Sequence, residues 1–119
     1  MIAVSGTHGK TTTSSLIRHI LEDNGGCNYF IGAGDGYATE ENTYFVVESD
    51  EFNKHFLAYH PAYSVITNIE EEHLECYKDI DDIANTFKKF STLIPKDGYL
   101  IGYGGDSRVK EILNSANCN

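Results

Sequence analysis

A chain of 119 residues, 40% of them hydrophobic, can bury one real core but not two domains of ordinary size, and it is not disordered. Its 9 basic side chains against 18 acidic ones leave a net charge of −9 and a pI near 4.8, so the basic stripe of a nucleic-acid binder is missing. No apolar run approaches the roughly 20 residues of a membrane span, and no secretion signal opens the sequence. Cys27, Cys76 and Cys118 form neither a CxxC pair nor a disulfide framework, and they read as free thiols of a cytoplasmic protein.

The apolar run from Ile2 to Ser5 reads as a first strand. Ser5-Gly6-Thr7-His8-Gly9-Lys10-Thr11-Thr12-Thr13 follows, and a helical repeat over residues 10–23 then places Leu16, Ile17, Ile20 and Leu21 on one face. Strand, tight loop, helix is the order that brings backbone N–H groups and an ammonium to the positive end of a helix, where nucleotide phosphates are held. The standard loop has a further glycine at position 4; here Val4 stands there, and the loop is shortened to Gly6-xx-Gly9. Gly32-Ala33-Gly34-Asp35-Gly36 reads as a flexible loop before the second strand, and without a helix behind it a Rossmann cofactor is not expected. Tyr44 to Val47, Tyr63 to Thr67 and Tyr99 to Tyr103 are the remaining expected strands. Residues 79–93 place Ile80, Ile83, Ala84, Phe87 and Phe90 on one helix face, with Asp79 and Asp81 favouring the dipole of the first turn. A last helix is expected from an N-cap at Asp106 or Ser107, carrying Val109, Ile112 and Leu113.

This alternation predicts an α/β fold, a mostly parallel sheet flanked by helices in three layers, like that of phosphate-loop NTPases. Right-handed crossovers put the C-terminal strand ends on one edge, where open α/β sheets bind ligands. Three loops are expected to meet there. In the first, Lys10 suits β- and γ-phosphate oxygens and the Thr11 hydroxyl suits Mg²⁺, while Gly6 and Gly9 allow close backbone approach. In the second, Val46-Val47-Glu48-Ser49-Asp50-Glu51 offers a hard carboxylate ligand, Glu48 first and Asp50 and Glu51 as rivals, the plain alternative being a solvated acidic turn. In the third, Thr67-Asn68-Ile69-Glu70-Glu71-Glu72-His73 ends in a histidine able to ligate a second metal or bond a phosphate, although a histidine beside acids is often only a surface residue. His8 lies in the phosphate loop, whereas His19, His55 and His60 read as surface or packing residues.

Together these residues resemble the central, ATP-binding domain of the Mur ligases, ATP-dependent amide-forming enzymes of peptidoglycan synthesis. Gly6-Thr7-His8-Gly9-Lys10-Thr11-Thr12 is similar to that family's shortened phosphate loop. Its histidine, with Tyr44-Phe45-Val46-Val47-Glu48 and His55-Phe56-Leu57-Ala58-Tyr59-His60-Pro61, resembles the branch that joins L-alanine to UDP-N-acetylmuramate. Thr67-Asn68-Ile69 and Tyr77-Lys78-Asp79-Ile80-Asp81-Asp82 resemble the versions found in Gram-positive bacteria. The resemblance covers nearly the whole chain.

It implies that Gly6, Thr7, His8, Gly9, Lys10, Thr11, Thr12 and Asn68 surround ATP. It places Thr11 on a first Mg²⁺ and Glu48 and His73 on a second, with Lys10, Glu48 and His73 as the catalytic set. The implied reaction activates the muramate lactyl carboxylate as an acyl phosphate, which the amine of L-alanine then attacks. The chain departs from the family pattern at Glu72-His73, where an Asp-His pair is usual. Lys88 and Lys89 sit near the place of a carbamylated lysine in sister ligases, but their spacing does not match it. The family's N-terminal UDP-sugar domain, its C-terminal amino-acid domain and the later part of the central domain find no counterpart. Residues 1–119 are therefore expected to be part of a central domain that forms no amide bond alone and is prone to self-association through open sheet edges. The rival readings are a muramyl tripeptide ligase, a folylpolyglutamate synthase, an unrelated ATPase, or a nucleotide-binding module without turnover.

Overall fold

The computed structural model of the chain describes residues 1–32, 35–49, 60–70 and 77–119. In chain order its elements are β1 (Ile2–Ser5), α1 (Lys10–Glu22), β2 (Asn28–Ile31), β3 (Asp35–Tyr37), β4 (Phe45–Glu48), β5 (Tyr63–Ile66), α2 (Ile80–Ser91), β6 (Tyr99–Gly102) and α3 (Ser107–Ser115). They form a six-stranded sheet in the order β3-β2-β4-β1-β5-β6. All neighbouring strands run parallel except β2 and β3. The α/β class and the largely parallel sheet match the expectation from sequence.

β1 lies at the centre between β4 and β5, in register Ala3 with Val47 and Ser64. A strand covered on both faces needs no polar alternation, which is why Ala3, Val4 and Ser5 are all buried. On one face α2 and α3 close a core of Ala3, Ile66, Ile69, Tyr77, Ile83, Phe87, Phe90, Ile94, Leu100, Val109 and Ile112. Both helices start on aspartate caps. Asp79 accepts from the Asp82 N–H at 2.9 Å, and Asp106 accepts from the Arg108 and Val109 N–H groups at 2.9 and 3.2 Å. Acids in the first turn of α2 and Lys88 and Lys89 in its last complement the helix dipole. The other helix, α1, packs over β4, β1 and β2.

Three expectations are corrected here. The stretch before the second expected strand holds two strands, β2 and β3, and Asp35-Gly36-Tyr37 is β-structure, not loop. Neither strand shows the apolar run of a buried one, because β3 is wholly exposed and Phe30 on β2 is exposed. The pair is held by side chains instead. The Tyr29 and Tyr37 rings stack at 6.1 Å, and the Arg18 guanidinium lies 3.6 Å over Tyr29 while reaching Glu22 and Asp35. On α1, Leu16 and Ile20 are 59% and 60% exposed, so they do not share the sheet-facing side with Ile17 and Leu21. That side runs through Ser14, Ile17, Arg18 and Leu21, at helical spacing, and the small buried Ser14 lets the helix sit close. Strand and helix limits also move by a residue or two: β4 extends to Glu48, β5 and β6 stop at Ile66 and Gly102, α1 stops at Glu22, and α2 spans Ile80–Ser91.

Candidate functional site

The C-terminal tips of β1, β4 and β5 lie side by side, with Val4 opposite Glu48 and Ser5 opposite Ile66. From the β1 tip the chain passes through Gly6–Gly9 into α1. Gly6 has φ 131°, and a Cβ there would collide with Thr67 Oγ1, so only glycine lets the loop lie against the β5 tip. Gly9 has the left-handed φ of 85° and turns the chain into the helix, whose first ladder bond runs from the Thr13 N–H to the Gly9 carbonyl at 3.0 Å. The amides ahead of Thr13 fall before that ladder begins. Unlike α2 and α3, this helix has no side-chain cap, and no acid in its first turn offsets its positive end. Lys10 is its first residue.

Glu48 reaches the same place from the end of β4. Its Oε2 accepts from the Thr11 hydroxyl at 2.9 Å and from the Gly32 N–H at 2.8 Å. A hydroxyl and a carboxylate are thus brought together beside the helix mouth, and the end of β2 aims the carboxylate.

The β5 tip supplies the third part. The Thr67 N–H donates to the Ser5 carbonyl and the Thr7 N–H to the Asn68 carbonyl, both at 3.0 Å. Asn68 then pairs with His8 through its side chain: Oδ1 accepts from the His8 N–H and Nδ2 donates to the His8 carbonyl, both at 2.9 Å. The Thr67 hydroxyl donates to that same carbonyl at 2.6 Å. Thr7 is buried, and its Oγ1 accepts from the Glu70 N–H at 2.8 Å. The exposed His8 imidazole meets the Glu70 carboxylate at 3.1 Å.

Gly6, Thr7, His8, Gly9, Lys10, Thr11, Thr12, Glu48 and Asn68 therefore gather at one sheet edge, Thr12 as an exposed residue of the first turn of α1. His73, Asp50, Glu51 and His55 lie outside the described residues. His19, in the last turn of α1, and His60 are exposed. Among the described residues no three His, Cys, Asp or Glu side chains cluster as a metal site. A cleft of about 550 Å³ between α2 and α3, lined in part by Asp81, Lys88, Arg108 and Glu111, shares no residue with this edge. Thr67 and Glu70, read from sequence only as members of the third loop, and Gly32, read only as part of a flexible loop, contribute to the site without having been given a role of their own. Only the position of Thr67 and Glu70 just past a strand end offered a signal.

The middle domain of the Mur ligases, taken as a family model, matches residues 4–119. The chain belongs to the Mur ligase family. This Mur ligase chain is 47% identical over 124 residues to the UDP-N-acetylmuramate–L-alanine ligase of Clostridium beijerinckii, across 99% of its own length and 27% of that relative. The enzyme of the same name from Clostridium botulinum strain Langeland is 44% identical with the same coverage. The chain thus spans about a quarter of the curated relatives it matches. Among solved structures, the UDP-N-acetylmuramate–alanine ligase of Thermotoga maritima aligns with a TM-score of 0.73 and 28% identity, over 92% of this chain and 26% of that one. The UDP-N-acetylmuramate:L-alanyl-γ-D-glutamyl-meso-diaminopimelate ligase of Neisseria meningitides shares the fold, with a TM-score of 0.84 and 24% identity over 98% of this chain and 43% of that one. The Mur ligase resemblance read from the phosphate loop and the strand tips is borne out. No helix among the described residues of this Mur ligase domain is long and apolar enough to cross a membrane.

Proposed function

We propose that this chain holds the phosphates of ATP, together with Mg²⁺, for a cytoplasmic ligase that joins L-alanine to UDP-N-acetylmuramate. The observation that carries the reading is the 2.9 Å contact between Thr11 Oγ1 and Glu48 Oε2 beside an uncapped helix mouth. The donor set fits magnesium, which takes one or two protein oxygens and fills its shell with phosphate oxygens and water. When bound, the metal neutralises charge on the phosphoryl oxygens.

The residues of the chain divide the rest of the work. Amides at the mouth of α1 and the Lys10 ammonium receive the β- and γ-phosphoryl oxygens, and Gly6 and Gly9 shape the loop that presents them. Thr11 is assigned to the first Mg²⁺, and Glu48 with His73 to a second, on the family resemblance. The names of the relatives supply the substrates. A lactyl carboxylate oxygen takes the γ-phosphoryl group of ATP, and ADP leaves. The amine of L-alanine then attacks the acyl carbon, phosphate leaves and the amine gives up a proton. This chain contributes positioning and charge neutralisation, while binding of the sugar nucleotide and of alanine falls to other parts of a longer enzyme.

Calorimetric titration of the chain with Mg²⁺–ATP tests the reading. Lys10→Ala removes a charge-assisted bond to phosphate and is expected to weaken binding about 10- to 100-fold. Equal affinity in the variant overturns the phosphate-loop assignment. Incubated alone with ATP, UDP-N-acetylmuramate and L-alanine, the chain is expected to yield no UDP-N-acetylmuramoyl-alanine, and robust product overturns the division of labour.

A further inference from the structure

We propose that Thr67 and Asn68 are positioning residues of the phosphate loop, which fix its shape before nucleotide arrives and do not themselves touch the nucleotide. The inference rests on the nucleotide reading above. Its basis is the way the β1–β5 ladder continues past the strand ends. Two backbone rungs follow Ser5 and Ile66, from the Thr67 N–H to Ser5 O and from the Thr7 N–H to Asn68 O, both 3.0 Å. A third rung has no strand backbone to make it. The Asn68 carboxamide takes that place, its oxygen accepting from the His8 N–H and its nitrogen donating to the His8 carbonyl, each at 2.9 Å.

A carboxamide is the smallest side chain carrying both a donor and an acceptor in the arrangement of a peptide group, so it can pair with both polar groups of one residue. The Thr67 hydroxyl donates to the same His8 carbonyl at 2.6 Å and so fills its second lone pair. Thr67 Oγ1 also lies 3.3 Å from Ser5 O, but a hydroxyl has one proton, and the shorter contact with His8 takes it. The packing of Gly6 on Thr67 fixes the loop from the other side.

This arrangement has a chemical result for the site. In the shortened loop the Thr7 and His8 amides are turned toward β5, so anion capture passes to the amides at the mouth of α1 and to Lys10. The Asn68 side chain spends its oxygen and one of its two amide N–H groups on the loop, which gives it the part of a brace. A loop held in one shape before binding spends no ordering entropy when the phosphates arrive.

The test compares Asn68→Ala, Thr67→Val and Thr67→Ser in the whole chain, with Lys10→Ala as reference. Calorimetry measures affinity for Mg²⁺–ATP, Mg²⁺–ADP and inorganic tripolyphosphate, and hydrogen exchange follows the His8 amide without ligand. Asn68→Ala and Thr67→Val are expected to weaken all three probes by a similar factor of about ten and to speed His8 exchange, whereas Thr67→Ser restores wild-type values. If Asn68→Ala does not fold, Thr67→Val, which keeps volume and strand propensity, carries the test. Wild-type affinity in both clamp variants beside a weakened Lys10→Ala overturns the clamp alone. A loss confined to ATP makes Asn68 a nucleotide contact and also overturns it. An unaffected Lys10→Ala removes the nucleotide reading and the clamp with it.

Discussion

In a Gly6→Ala chain the added Cβ would collide with Thr67 Oγ1 and sit 3.0 and 3.1 Å from the backbone nitrogens of Thr67 and Asn68. Gly9 offers a matched control. It too has a positive φ, 85° against 131° at Gly6, but nothing lies within 4 Å of a Cβ built on it. Alanine at Gly9 therefore meets only the backbone penalty, about 1–2 kcal/mol. At Gly6 a strain of about 1–3 kcal/mol is joined by an overpacking term of similar size, for a total of about 2–6 kcal/mol. Against the roughly 5–15 kcal/mol that hold a typical domain folded, that is a large share. Urea unfolding followed by far-UV circular dichroism should show a clearly lower midpoint for Gly6→Ala than for Gly9→Ala, with little change in slope. Removing the obstructing hydroxyl should also relieve the strain: in a Thr67→Ala background, Gly6→Ala is expected to be about 1–2 kcal/mol milder. Equal losses at the two glycines, or no coupling between residues 6 and 67, would refute the claim that the loop is seated on the β5 tip.

Asp106 does more than cap a helix, because its second oxygen accepts from the Ile69 N–H at 3.0 Å and ties α3 to the β5 loop. Asp106→Ala should therefore cost about 2–3 kcal/mol against about 1 kcal/mol for the simple cap lost in Asp79→Ala, and equal losses in urea melts would remove that tie. Burial, with Glu22 nearby, pushes the Cys27 thiol above its ordinary value, an effect Arg18 opposes. The folded chain then keeps this proton longer than the unfolded one, so stability should decline as pH rises past about 8.5, the ordinary thiol value. Cys27→Ala should flatten that decline, and an unchanged slope between pH 8 and 10 would rule the thiol out as its source.

The parts of the fold visible in the sequence are those whose signal is local. β1, β4, β5 and β6 were legible because strands buried in a parallel sheet are short and apolar. The starts of α2 and α3 were legible because an aspartate stands before each apolar repeat. β2 and β3 were not, since Tyr29, Tyr37 and Arg18 stabilise them through contacts across the sheet border that no single stretch encodes. Leu16 and Ile20 misled for a related reason: the side of α1 that meets the sheet is chosen by the close approach at Ser14, and an apolar residue is free to stay in water. At the site, Gly9-Lys10-Thr11 and Glu48 could be read as chemistry, because each carries a group that suits phosphate or metal. Thr67 could not, because its importance lies in facing Gly6 and the His8 carbonyl, a fact of register between β1 and β5.

The groups that make the cradle come from the ends of β1, β4 and β5, which are neighbours in the sheet but are separated along the chain by most of its first 68 residues. No short stretch can acquire affinity by itself. Contacts so distant in sequence slow folding, and an intermediate holding only the β1–β4 pair would set Thr11 beside Glu48 but leave the phosphate loop without its brace on the β5 tip. A chain cut short before Asn68 would carry the loop and its helix but lack the side chain that holds the loop in shape.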